Sequence, residues 1–205
     1  TVDLSTVEVD EDLLSVAELG RALGIARTAA LSDYLRAHTW LRQRLSEYLD
    51  VSPEEIEIAE NEHGKPYIDA PATDLSFNLS YSGGRAVLGV GFRVEVGVDI
   101  EPLEGAQLNP EMMHRVLSRP EAEAVRQSGN MKREFYKLWV RKEAMAKANG
   151  WVVGEETATN LLGLSPVERD GFEVTDLNIG DEFAAAVAVP AGCIIDLSVK
   201  TEAMA

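Results

Sequence analysis

The stretch from Leu75 to Phe92, LSFNLSYSGGRAVLGVGF, constrains the fold most. Two β-rich runs flank Ser82-Gly83-Gly84, a composition that reads as a tight turn between antiparallel strands. A third β-rich run, residues 94–100, follows directly. Gly89 and Gly91 are therefore not a dinucleotide-binding fingerprint, because that motif needs a strand running into a helix. Upstream, Leu13, Leu14, Ala17 and Leu19 predict a short helix within 11–24. Leu31, Leu35, Leu41, Leu45 and Leu49 predict a longer one over 28–49, ending before Pro53. Residues 56–58 read as a strand and His63-Gly64-Lys65-Pro66 as a turn. The second half repeats this order. Helical segments fall at 110–117, 120–128 and 131–149, the last stopping at Asn149-Gly150. Strands are expected at 172–177, 183–189 and 194–199. Each half thus reads as helix followed by about three strands. The expected class is α+β, with two similar lobes, 1–103 and 104–205, and a ligand site between them.

The remaining composition narrows the function. The chain has 205 residues, 45% of them hydrophobic and 26% charged, as an ordinary globular protein does. It has no apolar run of membrane-spanning length, so no membrane partner is expected. The acidic first residues, TVDLSTVEVDEDLL, lack the layout of a signal peptide. With Cys193 as the single cysteine, the expectation is a reducing, cytoplasmic setting. A net charge of −16 and the absence of a basic run exclude an ordinary nucleic-acid binder. If the protein binds phosphates, it must do so with a few local cations and a metal.

Three groups of residues could carry chemistry. In Val96-Gly97-Val98-Asp99-Ile100-Glu101, strand alternation puts Asp99 and Glu101 on one face and Val98 and Ile100 on the other. Paired carboxylates without histidine or cysteine suit Mg²⁺; a solvated strand edge gives the same pattern. On the helix, Phe135, Trp139, Glu143 and Lys147 recur every four residues. An exposed Glu–Lys pair explains the last two, but here they continue an aromatic stripe that should be half buried. Lys65 sits in a Gly–Pro turn, and Ser80, Tyr81 and Ser82 place hydroxyls where a strand enters its turn. Solvated turn chemistry accounts for each of these singly, and Asn78 could simply tie down a turn. His38, His63 and His114 have no metal-ligand spacing. Cys193, Trp40 and Trp151 read as packing residues.

Taken in order, Gly64-Lys65-Pro66, Phe77-Asn78-Leu79-Ser80, Val96-Gly97-Val98-Asp99-Ile100-Glu101 and Trp139-Val140-Arg141-Lys142-Glu143-Ala144-Met145-Ala146-Lys147 resemble the Sfp-type 4′-phosphopantetheinyl transferases. The resemblance implies a pseudo-twofold α+β fold with coenzyme A and Mg²⁺ between the lobes. It implies transfer of phosphopantetheine to a serine of an apo carrier protein of fatty-acid, polyketide or peptide synthesis. By the same resemblance Asp99, Glu101 and Glu143 bind the metal, Glu143 is the base, and Lys147 assists the departing bisphosphate. Lys65, Ser80 and Tyr81 hold coenzyme A, with Arg42 and Lys142 as further contacts. Two positions depart from the pattern. Tyr81 stands where the family usually has histidine, and Arg27 is the only basic residue just before the long helix. A non-catalytic relative that binds coenzyme A or carriers is the alternative. Two lobes in one chain suggest a monomer, and residues 110–117, with Met112, Met113 and Val116, suggest either a docking segment or core.

Overall fold

A computed structural model describes residues 1–26, 28–105, 108–150 and 160–196. Arg27 and Trp151 lie outside them. The long helix predicted at 28–49 forms over those residues, and its apolar side is what the first half is built on. With β1 at Val2–Asp3 and α1 at Val16–Ala22, this helix is α2, Thr28–Leu49. Ala37, Trp40, Leu41 and Leu45 recur every three or four positions and are all buried, which is the spacing of one helix face. They pack on Phe77, Leu79, Ala86 and Leu88 of the hairpin β4 (Leu75–Ser82) and β5 (Arg85–Phe92). Gly83 and Gly84 have φ of 59° and 77°. Both central turn residues of this hairpin type need positive φ, which only glycine adopts without strain.

Between helix and hairpin lie β2 (Glu57–Glu60) and β3 (Pro66–Ala70), which pair antiparallel around the expected turn. β2 starts one residue later than predicted, and β3 was not predicted. The segment 11–24 divides into a 3-10 turn at Glu11–Leu13 and α1, because Ser15 and Glu18 form a capping box that starts a new helix.

The expected grouping of strands changes at β6 (Gly97–Pro102). The third strand of the first group is hydrogen-bonded instead into the second sheet, order β6-β9-β8-β7, while the first sheet is β1-β5-β4. β7 is Val167–Arg169, β8 Phe172–Asp176 and β9 Phe183–Pro190. The reason is local. β6 pairs along its length with Ala184–Ala188 of β9, whose small side chains leave room for a covering helix. The other edge of β6 meets side chains of β4 rather than a backbone ladder: the Val98 amide donates to Asn78 Oδ1 at 2.8 Å. A division at residue 103 therefore follows a strand that belongs to the second sheet. β7 was not predicted. Of the strand expected at 194–199, residues 194–196 are not strand and the rest lie outside the described residues.

α3 (Pro110–Val116), α4 (Arg119–Gln127) and α5 (Met131–Ala148) match their predicted ranges closely. α5 lies on β6 and β9, burying Phe135, Leu138, Val140, Ala144 and Ala148 against Val174, Ala184, Ala186 and Ala188. Met112 and Met113 of α3 pack partly buried on this core, and Val116 is within it. Cys193 is half-buried against the cluster between the two sheets.

Candidate active site

Alternation along β4 sorts its residues onto two faces. Phe77, Leu79 and Tyr81 face α2 and the apolar clusters beneath it. Ser76, Asn78, Ser80 and Ser82 face the other way and reach the crossing strand. Ser76 Oγ donates to the Val94 carbonyl at 2.5 Å, Ser80 Oγ to Asp99 Oδ1 at 2.9 Å, and Ser82 Oγ to Glu101 Oε2 at 3.1 Å. The serines of this hairpin thus orient the two carboxylates of β6, and Asn78 ties that strand rather than a turn.

On β6, Val98 and Ile100 are buried in the inter-sheet core, as alternation requires. Gly97, Asp99 and Glu101 face α5. The approach at Gly97 is close enough to need a missing side chain: a Cβ there would lie 2.0 Å from the Ala144 carbonyl oxygen and 2.4 Å from the Ala148 nitrogen. Contacts that short do not occur, so only glycine lets α5 sit this near β6. The same approach brings Lys147 Nζ to 2.6 Å from Asp99 Oδ1 and 3.3 Å from both Ser80 Oγ and the Val98 carbonyl.

The electrostatics follow from three acids around one ammonium. Burial pushes Asp99 above its ordinary range, although Lys147 and Ser80 pull the other way. Glu101 is raised by burial and then by Asp99, with Ser82 and the Trp139 side chain opposing. Glu143 is raised to about 7 by burial and by the negative charges of Asp99 and Glu101, with Lys147 opposing. Glu101 feels Asp99, and Glu143 feels both, so with Lys147 they form one cluster that is short of positive charge.

This bears on the expected metal. Asp99 Oδ2 is buried without a hydrogen-bond partner, and a buried carboxylate oxygen needs one. Three carboxylates and two hydroxyls are an oxygen donor set suited to a hard divalent cation. As the side chains stand, no three His, Cys, Asp or Glu among the described residues are in metal-ligating geometry. Lys147 takes Asp99 Oδ1 instead, and Ser82 holds Glu101. The donor chemistry and the charge deficit fit Mg²⁺; the side chains would have to close on it.

The other expected site residues divide. Lys65 reaches α5: its Nζ is 2.5 Å from Glu95 Oε2, 3.5 Å from the Val96 carbonyl and 3.4 Å from that of Ala148. Tyr81 is on the α2 face of β4, opposite Ser80. Arg42 and Lys142 are turned inward. Arg42 is buried against Glu18 at 2.8 Å and the carbonyls of Pro53 and Ile56. Lys142 is buried 3.1 Å from Glu121, which also receives the amides of Ser118 and Leu161. Both are bound into the core, which is a correction to the reading that they face coenzyme A. The i,i+4 stripe of α5 lines up Glu143 and Lys147 and leaves Lys142 off it.

Sequence reasoning missed the part of Trp139 in steadying Glu101, although its place one turn before Glu143 was visible. It also missed Glu18, for which Ser15-x-x-Glu18 was the available signal. A cavity of about 690 Å³ lies elsewhere, between α2, β5 and β9, lined by Val87, Val96, Val98, Val187 and Val189. Val98 lines it from the face of β6 opposite Asp99 and Glu101, so this cavity and the acid cluster are separate.

Comparison with known proteins matches residues 95–188 to the model of the 4′-phosphopantetheinyl transferase superfamily. That segment contains β6 and α5, hence all four residues of the cluster. The 4′-phosphopantetheinyl transferase AcpT of Salmonella typhi is 34% identical over 167 residues, covering 77% of this chain and 82% of its own length. A phosphopantetheinyl transferase of Thraustochytrium is 32% identical over 180 residues, 76% of this chain and 62% of its own. The 4′-phosphopantetheinyl transferase HetI of Nostoc is 28% identical over 158 residues, 73% and 67%. The chain spans 57% of the length of a Synechocystis relative and 62% of the Thraustochytrium one.

Proposed function

Because the chain belongs to the 4′-phosphopantetheinyl transferase superfamily, we propose that it transfers 4′-phosphopantetheine from coenzyme A to a serine of an apo carrier protein. The observation that carries the reading is the cluster of Asp99, Glu101, Glu143 and Lys147 where β6 meets α5. The proposal places the chain in the Sfp-type branch, as a cytoplasmic monomer whose halves, 1–103 and 104–205, meet along β6.

The reaction forms a bond between the serine oxygen and the β-phosphorus of coenzyme A and breaks the bond from that phosphorus to the bridging oxygen. Phosphopantetheine goes to the carrier, and adenosine 3′,5′-bisphosphate leaves. The serine must lose its proton. Glu143, with a pKa of about 7, is matched to a base working near neutrality. The leaving phosphate gains negative charge, and Lys147 provides the ammonium that meets it. Ser80 and Ser82 hold Asp99 and Glu101 in place. Mg²⁺, held by Asp99, Glu101 and Glu143, would neutralise pyrophosphate charge. Lys65, Ser80 and Tyr81 are the proposed coenzyme A contacts. Most of the acceleration is then positioning and electrostatics.

The test is to mix the protein with coenzyme A, Mg²⁺ and a panel of apo carriers and to weigh the carriers. One added phosphopantetheine per carrier is expected. Unchanged masses across the panel, with coenzyme A still bound, would instead favour a non-catalytic relative.

A further inference from the structure

The cavity of about 690 Å³ has a strand edge along one wall and a segment of this chain at its mouth. β5 is paired with β4 along its whole length. On its other edge, among the described residues, it is paired only with β1, at Arg85 and Ala86. Residues 88–92 carry that outer edge onward, and they line the cavity. Backbone donors and acceptors along such an edge need partners, and an apolar edge left open invites another strand.

Geometry fixes where that strand lies. β5 crosses β6 closely: a Cβ on Gly89 would come within 2.7 Å of Val96 Cγ2 and 2.9 Å of Val98 Cγ1. β9 is the hydrogen-bonded neighbour of β6. A strand added beside β5 therefore lies over β9, whose Val187 and Val189 line the cavity. The chain also leaves β9 at the right end. Ala188 is opposite Gly97, and β6 begins shortly after β5 ends, so the chain beyond Pro190 emerges near the Phe92 end of β5. From there it must run back toward Arg85, antiparallel to β5 and in line with β1.

The residues that enter the groove already alternate. Cys193 and Ile195 pack on the cluster between the sheets, while Ile194 is 99% exposed and Asp196 is exposed too. That is the two-residue period of a strand. Continued, it points Leu197 and Val199 at Val187 and Val189. Ser198 and Lys200 then point toward α2, whose Arg44 and Glu47 line the cavity on that side. We propose that residues 197–200 occupy this groove as a further strand on β5, closing the apolar space between the two sheets. The first half gives β6 to the second sheet, and this strand ties the second half back into the first. It also backs the strand that carries Asp99 and Glu101, because Val98, on the opposite face of β6, lines the same cavity.

The experiment follows amide hydrogen exchange and thermal unfolding of the intact chain at low protein concentration. The amides of residues 88–92 that point away from β4 are expected to exchange as slowly as those that point toward it. Alternate amides of residues 197–200 should be slowed with them. Leu197→Asp and Val199→Asp should each lower the melting temperature by roughly 3 °C or more and release both sets of amides, while Ser198→Asp changes neither. If Leu197→Asp does not fold, Leu197→Ala against Ser198→Ala reads the same contrast. Fast exchange along the outer edge of β5 in the wild type overturns the proposal. So does an equal loss of stability from the substitutions at 197 and 198. Protection of that edge that appears only as protein concentration is raised, with dimers in sedimentation, gives the groove to a second copy and overturns it as well.

Discussion

Replacing Glu143 by Gln should stabilise the protein while stopping its reaction. In the folded chain the Glu143 pKa is about 7 against an ordinary 4.5. A carboxylate whose pKa is raised by folding binds more protons folded than unfolded between those values, so stability falls as pH rises through that window. Below pH 4.5 the effect is absent; above 7 it is complete. A shift of about 2.5 pH units corresponds to at most ~3.4 kcal/mol. The side chain keeps some contact with solvent and shares its charge with Asp99 and Glu101, which reduces this to ~1–2 kcal/mol. Glutamine keeps the shape and removes the charge. At pH 8 the variant should therefore melt about 2–6 °C above wild type, for a domain of this size. The gap should narrow at pH 5.5, and added Mg²⁺ should raise the wild type more than the variant. Thermal unfolding at both pH values, with and without Mg²⁺, reads all of this. A difference that is constant with pH, or a less stable variant at pH 8, refutes the charge-crowding account. Transfer at the wild-type rate in Glu143→Gln removes the residue from catalysis.

Three further outcomes are expected. In a pH–rate profile the transfer rate should rise with pH as Glu143 gives up its proton, with a midpoint below the metal-free value of about 7 once Mg²⁺ is bound. Gly97→Ala should force α5 off β6, because its Cβ has nowhere to go; a loss of ~1–3 kcal/mol in denaturant unfolding should accompany a larger loss of transfer. Lys142→Met should strand the buried Glu121 carboxylate and cost ~3–5 kcal/mol, while the KM for coenzyme A stays as in wild type; a selective rise in that KM would put Lys142 back in the ligand site.

Periodic elements were legible in the sequence and their partners were not. α2 and α5 could be placed because their apolar residues recur at helical spacing over 22 and 18 residues. The hairpin could be placed because Gly83-Gly84 can take the positive φ that a two-residue turn requires at both positions. β3 and β7 were missed: one is five residues and the other three, with little alternation to read. β6 was recognised as a strand yet assigned to the wrong neighbours. Its own residues carry no information on pairing. What decides it is Ala184–Ala188, some eighty residues on, together with the side chain of Asn78.

The site divides on the same physical line. Asp99 with Glu101, and Glu143 with Lys147, could be read because a strand face has period two and a helix face period near four. That the two faces meet was not written in either motif. It depends on Gly97, a residue that contributes by having no side chain, and on a serine ladder whose members each look like turn chemistry. Lys142 and Arg42 show the opposite case. A basic residue beside a functional motif has the right charge for a phosphate, and only the depth of Glu121 and Glu18 reveals that the charge is already used. Burial of an acid therefore separates the two kinds of cation here: where the acid is fully enclosed, its partner belongs to the fold. Where acids crowd around a single ammonium, as at Lys147, the surplus negative charge is what remains for a substrate and its metal to satisfy.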